Sequence, residues 1–66
     1  MKITVNGDEI EMADSATAAD LILQLKLEGK RVAMEVNREI VPRSTYADHP
    51  LQQGDNIELV HAIGGG

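Results

Sequence analysis

One stretch of this chain carries the period of a helix. Ala18, Leu21, Ile22 and Leu25 stand at i, i+3, i+4 and i+7 and so share one helical face. On either side of that stretch, apolar residues alternate with polar ones, which is the period of a half-buried strand. A single amphipathic helix covers one face of a sheet and leaves the other wet. The pattern therefore dictates a two-layer α+β domain.

The order of elements follows from the same alternation. Met1, Ile3 and Val5 share a face in "MKITV", and Ile10 and Met12 share one in "EIEM". Asn6-Gly7 between them predicts a tight antiparallel hairpin, because both residues accept positive φ. Thr17 is placed to cap a helix over about residues 17–28, with Asp20 three residues later to complete a capping box and to sit at the positive helix end. Gly29 is placed for the left-handed position that ends it. Val32, Met34 and Val36 alternate again, "NRE" turns the chain, and Pro42 confines "IVP" to a sheet edge or a strand end. Residues 43–55 form a polar connector holding the one aromatic residue, Tyr46, and a turn of helix before Leu51. The last strand is "NIELVHAI", with Ile57 and Leu59 facing the helix. Being apolar on both sides, it belongs in the middle of the sheet, beside the first strand. The order β-β-α-β-β-β with a mixed five-stranded sheet is the β-grasp, or ubiquitin-like, arrangement. It is expected over residues 1–63, with residues 64–66 as a flexible glycine tail.

Composition narrows the functions open to such a domain. At 66 residues there is one domain with a small core, supplying roughly 3–5 kcal/mol of net stability. The chain has no cysteine, so it can carry neither a disulfide nor a persulfide on a side chain. Its net charge is −5, and Lys2, Lys26, Lys30, Arg31, Arg38 and Arg43 are scattered along it. Nucleic acid needs a clustered basic face, so a protein partner is expected instead. No apolar run approaches the roughly 20 residues of a membrane span, and the N-terminus alternates where a signal peptide would be uniformly apolar. These features predict a soluble, cytoplasmic protein.

Conventional catalytic groups are missing from the pattern. His49 and His61 have neither the spacing nor the company of metal ligands. Ser15, Ser44 and Thr45 suit turns and caps better than nucleophilic roles. "IGGG" lacks the strand–turn–helix setting of a phosphate loop. The folded body is thus expected not to be catalytic. What remains is Gly64-Gly65-Gly66. A terminal glycine offers an α-carboxylate with no Cβ to crowd it, and a glycine run passes through channels that reject any side chain. The alternative is a frayed terminus without a role.

The segments "ITVNGDEIE", "VNREIVPR" and "LQQGDNIELVHAIGGG", together with the length, resemble the ThiS family of sulfur carriers in thiamin biosynthesis. The glycine pair Gly65-Gly66 is shared by all ubiquitin-like carriers, while "VNREIVPR" followed by "GDNIELV" is more diagnostic. The resemblance implies that an E1-like adenylyltransferase, ThiF, uses ATP and magnesium to adenylate Gly66. No cofactor would be bound by the chain itself. Sulfur from a sulfurtransferase or cysteine desulfurase persulfide would then displace AMP, leaving a thiocarboxylate for thiazole synthase, ThiG. Gly64 departs from the family pattern as an extra glycine.

If Ile57 and Leu59 face the helix, then Glu58, Val60 and Ala62 face outward. A partner-binding patch is accordingly expected at Val60, Ala62, Ile63 and Gly64. Ala33 and Glu35 would extend it, with Arg43 and Tyr46 as further candidates. The competing readings are a related MoaD-like carrier for molybdopterin or for several thiolation pathways, a ubiquitin-like modifier joined to lysines, and an interaction module with an idle tail.

Overall fold

In the computed structural model, residues 1–61 are described. The expected domain boundary after residue 63 and the roles assigned to Ala62, Ile63, Gly64, Gly65 and Gly66 lie outside those residues. Five strands and one α-helix follow in the predicted order: β1 (Lys2–Val5), β2 (Asp8–Glu11), α1 (Ala18–Gln24), β3 (Val32–Val36), β4 (Glu39–Val41) and β5 (Asn56–His61). A 3₁₀ segment, Arg43–Asp48, supplies the turn of helix expected before Leu51.

The sheet order is β2-β1-β5-β3-β4. β5 runs parallel to β1 and antiparallel to β3, and the two hairpins β1–β2 and β3–β4 are antiparallel. Both hairpins close through two-residue turns with left-handed backbone at each position. Asn6 and Gly7 have φ of +50° and +89°, and Asn37 and Arg38 have +52° and +71°. These are type I′ signs, matched to the right-handed twist of the strands they join. "Asn-Arg" in the second turn is the less comfortable pair, because Arg38 carries a Cβ into the left-handed region.

The helix starts as its sequence dictates. The Thr17 hydroxyl accepts a hydrogen bond from the Asp20 amide at 3.3 Å, and the Asp20 carboxylate accepts from the Thr17 amide at 2.9 Å. It ends sooner than expected, at Gln24 and not near residue 28. Gly29 is left-handed as expected, at φ +78°, but the left-handed residue that ends the helix is Lys26, at φ +58°. The Leu27 amide donates to the Ile22 carbonyl at 2.9 Å and the Lys26 amide to Leu23 at 3.0 Å, the paired closure of a Schellman motif. That early stop turns Leu27 back onto the core, where it packs half-buried. A helix continuing to 28 would carry Leu27 away from the sheet.

Ala18, Leu21 and Ile22 of α1 meet Ile3, Val5, Met34, Val36, Ile57 and Leu59 of the sheet in one core. Tyr46, Val41 and Leu51 close it on the β4 side. The connector is pinned there by backbone bonds from Ala18 to His49 and from Leu51 to Ala16, both 2.9 Å. Among the described residues, no helix is long and apolar enough to cross a membrane.

At the opposite edge the Met1 ammonium donates to the Met12 carbonyl at 2.8 Å and to Asp14 at 3.0 Å, with Glu11 at 3.2 Å. The hydrogen bonds with Asp14 and then Glu11 raise its pKa above the ordinary 8.0. Because the folded state favours the charged amine, its stabilisation is complete below about pH 8 and is lost as pH rises through the raised value. Unfolding midpoints recorded on either side of that window should drop above it, and the drop should shrink in Asp14→Asn.

Candidate functional site

The strand leading to the glycine run lies at the centre of the sheet. β5 has a neighbour on each side, and Ile57, its second residue, is wholly buried, paired with Val5 of β1 and Val36 of β3. Its beginning is fixed by the second turn. The Asn37 amide donates to the Asn56 carbonyl at 2.7 Å, and the Asn56 amide donates back to Asn37 Oδ1 at 2.9 Å. Asn37 Nδ2 also donates to buried Asp55 at 3.0 Å, whose other oxygen accepts from the Gln52 amide at 2.8 Å. Its far end is fixed by the first turn. Asn6 Nδ2 donates to the Leu59 carbonyl at 3.0 Å, and the Leu59 amide donates to Asn6 Oδ1 at 2.9 Å. Each turn therefore contributes an asparagine that both accepts left-handed backbone and grips one end of β5. The Asn-Gly signal pointed to the first turn but gave no sign of either grip.

The outer sheet face bears out the alternation as far as Val60. Val60 is 59% exposed and Glu58 is exposed, while Leu59 between them is buried. Val60 lies opposite exposed Ala33, and Glu58 opposite half-buried Glu35. Ile40 of β4, paired with Glu35, is 75% exposed and completes an apolar group that sequence reading missed. The signal was present: with Val41 inward, its neighbour Ile40 must face out. Ala33, Glu35, Ile40, Glu58 and Val60 ring a shallow hollow of about 100 Å³ floored by Met34. Two glutamates directly opposite one another repel, which a solvated sheet face tolerates at a small cost and a basic partner would relieve. Arg43 is exposed but belongs to the 3₁₀ segment, and Tyr46 is only 8% exposed. Tyr46 therefore leaves the docking surface: its ring fills the core, and burial raises its phenol pKa.

Neither histidine joins a cluster. His49 is half-buried with its carbonyl bonded to Ala18, and His61 is exposed opposite Val32. Among the described residues no group of three His, Cys, Asp or Glu could hold a metal. A groove of about 280 Å³ lies where β5 ends, between the β1–β2 turn and the residues after α1, and is walled by Val5, Ile10, Leu25, Leu27, Val32 and Leu59.

The decisive comparison is with protein families. A model described as "ThiS family" matches residues 2–66. This chain belongs to the ThiS family. It is 37% identical to the sulfur carrier protein ThiS of Bacillus subtilis, with 97% of this chain and 98% of that one aligned. It is 36% identical to the ThiS of Escherichia coli over the full length of both. It is also 42% identical to part of a thiazole synthase of Paramagnetospirillum magneticum, spanning 20% of that longer protein. Among solved structures, a ThiS thiamine biosynthesis protein from Geobacter metallireducens superposes with a TM-score of 0.85 at 30% identity, over all of both chains. The expected ThiS resemblance and the β-grasp fold are thus both established.

Proposed function

We propose that this ThiS-family chain is a sulfur carrier in thiamin biosynthesis, acting as a co-substrate of enzymes and not as a catalyst. The observation that carries the reading is the family match running through Gly66, on a body whose central strand leads into the glycine run. A ThiF-type adenylyltransferase holding magnesium and ATP activates the Gly66 carboxylate. One carboxylate oxygen attacks the α-phosphorus and pyrophosphate leaves. A persulfide from a sulfurtransferase or cysteine desulfurase displaces AMP, and a thiol cleaves the resulting sulfur–sulfur bond to release the thiocarboxylate. The chain's own contribution is presentation. Gly65 and Gly66 carry no side chain into the enzyme's channel, and Val60 with Ala62, Ile63 and Gly64 docks the root of the tail. The thiazole synthases that contain a similar segment support thiazole synthase as the acceptor. The lack of cysteine and of any long apolar run suits a cytoplasmic protein.

Intact mass spectrometry tests this. The chain incubated with the ThiF-type enzyme, MgATP and a persulfide donor should exchange one oxygen for one sulfur. Val60→Asp should slow the exchange by weakening docking while leaving the unfolding midpoint unchanged, since Val60 is already exposed. Recovery of the chain joined to lysines of other proteins would make it a modifier instead.

A further inference from the structure

β1 runs out before β5 does. The two strands pair as Thr4 with Asn56 and Val5 with Ile57, and the ladder is made by the Thr4 amide on Asp55 and the Asn6 amide on Ile57, each 2.9 Å. In a strand, alternate residues turn their backbone groups to the same side, so Asp55, Ile57 and Leu59 all face β1. At Leu59 there is no β1 peptide to meet them, because the chain has turned at Asn6-Gly7. The Asn6 side chain takes its place. Its carboxamide has the donor and acceptor of a peptide group, and it meets both the amide and the carbonyl of Leu59, at 2.9 and 3.0 Å. The side chain thereby extends the parallel ladder by one peptide. It also holds the last residue on this side before His61, where the described strand ends.

We propose that Asn6 is a positioning residue for the adenylation reaction: its carboxamide holds Leu59 in register and so fixes the direction in which the chain leaves the sheet toward Gly66. This rests on the carrier reading above. The geometry separates the role from general stability, because Asn37 grips the opposite end of the same strand with similar bonds. If the grips served stability alone, losing either would act alike on the reaction. If Asn6 aims the tail, only its loss affects turnover, since the body still docks while the carboxylate reaches the nucleotide misaligned. Misplacement by about 1 Å can cost a hundredfold in rate.

The experiment compares Asn6→Gly with Asn37→Gly, each keeping a residue content with positive φ. Adenylation of the full chain by the ThiF-type enzyme with MgATP is followed by pyrophosphate release, alongside hydrogen exchange at the Leu59 amide and the unfolding midpoint. Asn6→Gly is expected to speed Leu59 exchange and lower kcat by about ten- to a hundredfold with KM unchanged. Asn37→Gly, although it also unseats Asp55 and melts at a lower temperature, is expected to keep the wild-type kcat. The positioning role is overturned if Asn6→Gly keeps wild-type kcat, if its KM rises instead, or if both variants lose kcat alike. A wild-type chain that binds the enzyme but yields no pyrophosphate overturns the carrier reading itself, and the positioning role with it.

Discussion

A chain ending at Gly64 is expected to fold as stably as the full chain and to gain no sulfur. Every core residue described lies between Ile3 and Leu59, so removing Gly65 and Gly66 leaves all of them in the chain. The shortened chain still ends in a glycine carboxylate, chemically the same as before. What it loses is reach. Two extended residues span about 7 Å, far beyond the misalignment an active site tolerates. The comparison therefore isolates position from chemistry, which a Gly66→Ala variant would not. Intact mass should show no oxygen-to-sulfur exchange under conditions that convert the full chain completely, and urea unfolding should give the same midpoint for both. Sulfur uptake at Gly64 would mean that the reacting group had been assigned to the wrong place.

The second large effect concerns the body. Ile57→Ala should remove most of the domain's stability in water at room temperature. Ile57 is wholly buried near the start of the middle strand, paired with Val5 and Val36, and shares the core with the helix. Truncating a buried isoleucine to alanine costs about 2–5 kcal/mol in lost burial and residual cavity. A domain of this size holds roughly 3–5 kcal/mol in all. Ile40→Ala removes the same atoms from a side chain that is 75% exposed, so its cost should stay within about 0.5 kcal/mol. Urea unfolding of the pair checks this. Equal losses would contradict the assignment of β5 as the strand on which the core is built.

These two isoleucines mark what local pattern can and cannot convey. Alternation in "NIELV" put Ile57 inward and Val60 outward, and the same parity applied to "EIV" puts Ile40 outward. Parity is a property of the strand itself, since successive side chains leave on opposite faces. The Thr17–Asp20 box was legible for a similar reason, because both partners lie within one turn. The helix stop was misread. Gly29 is left-handed as expected, at φ +78°, but Lys26 takes that conformation three residues earlier and ends the helix, so that Leu27 can return to the core. A modest local strain was outweighed by burial of an apolar side chain. Tyr46 was placed with the docking candidates for a comparable reason: nothing near it in sequence announces the core it fills.

From sequence alone came one helix on one face of a five-stranded sheet, the faces of its strands, the absence of cysteine chemistry, the ThiS resemblance and the glycine run. Each depends on residues close together in the chain or on simple composition. Tertiary structure alone decided the clasps of Asn6 on Leu59 and of Asn37 on Asn56, the opposition of Glu35 and Glu58, and the grouping of Ile40 with Val60. These pairings join residues about 20 to 50 positions apart, brought together when β5 inserts between β1 and β3. No periodicity encodes them, because a local pattern fixes which way a side chain points but not which distant strand will lie beside it.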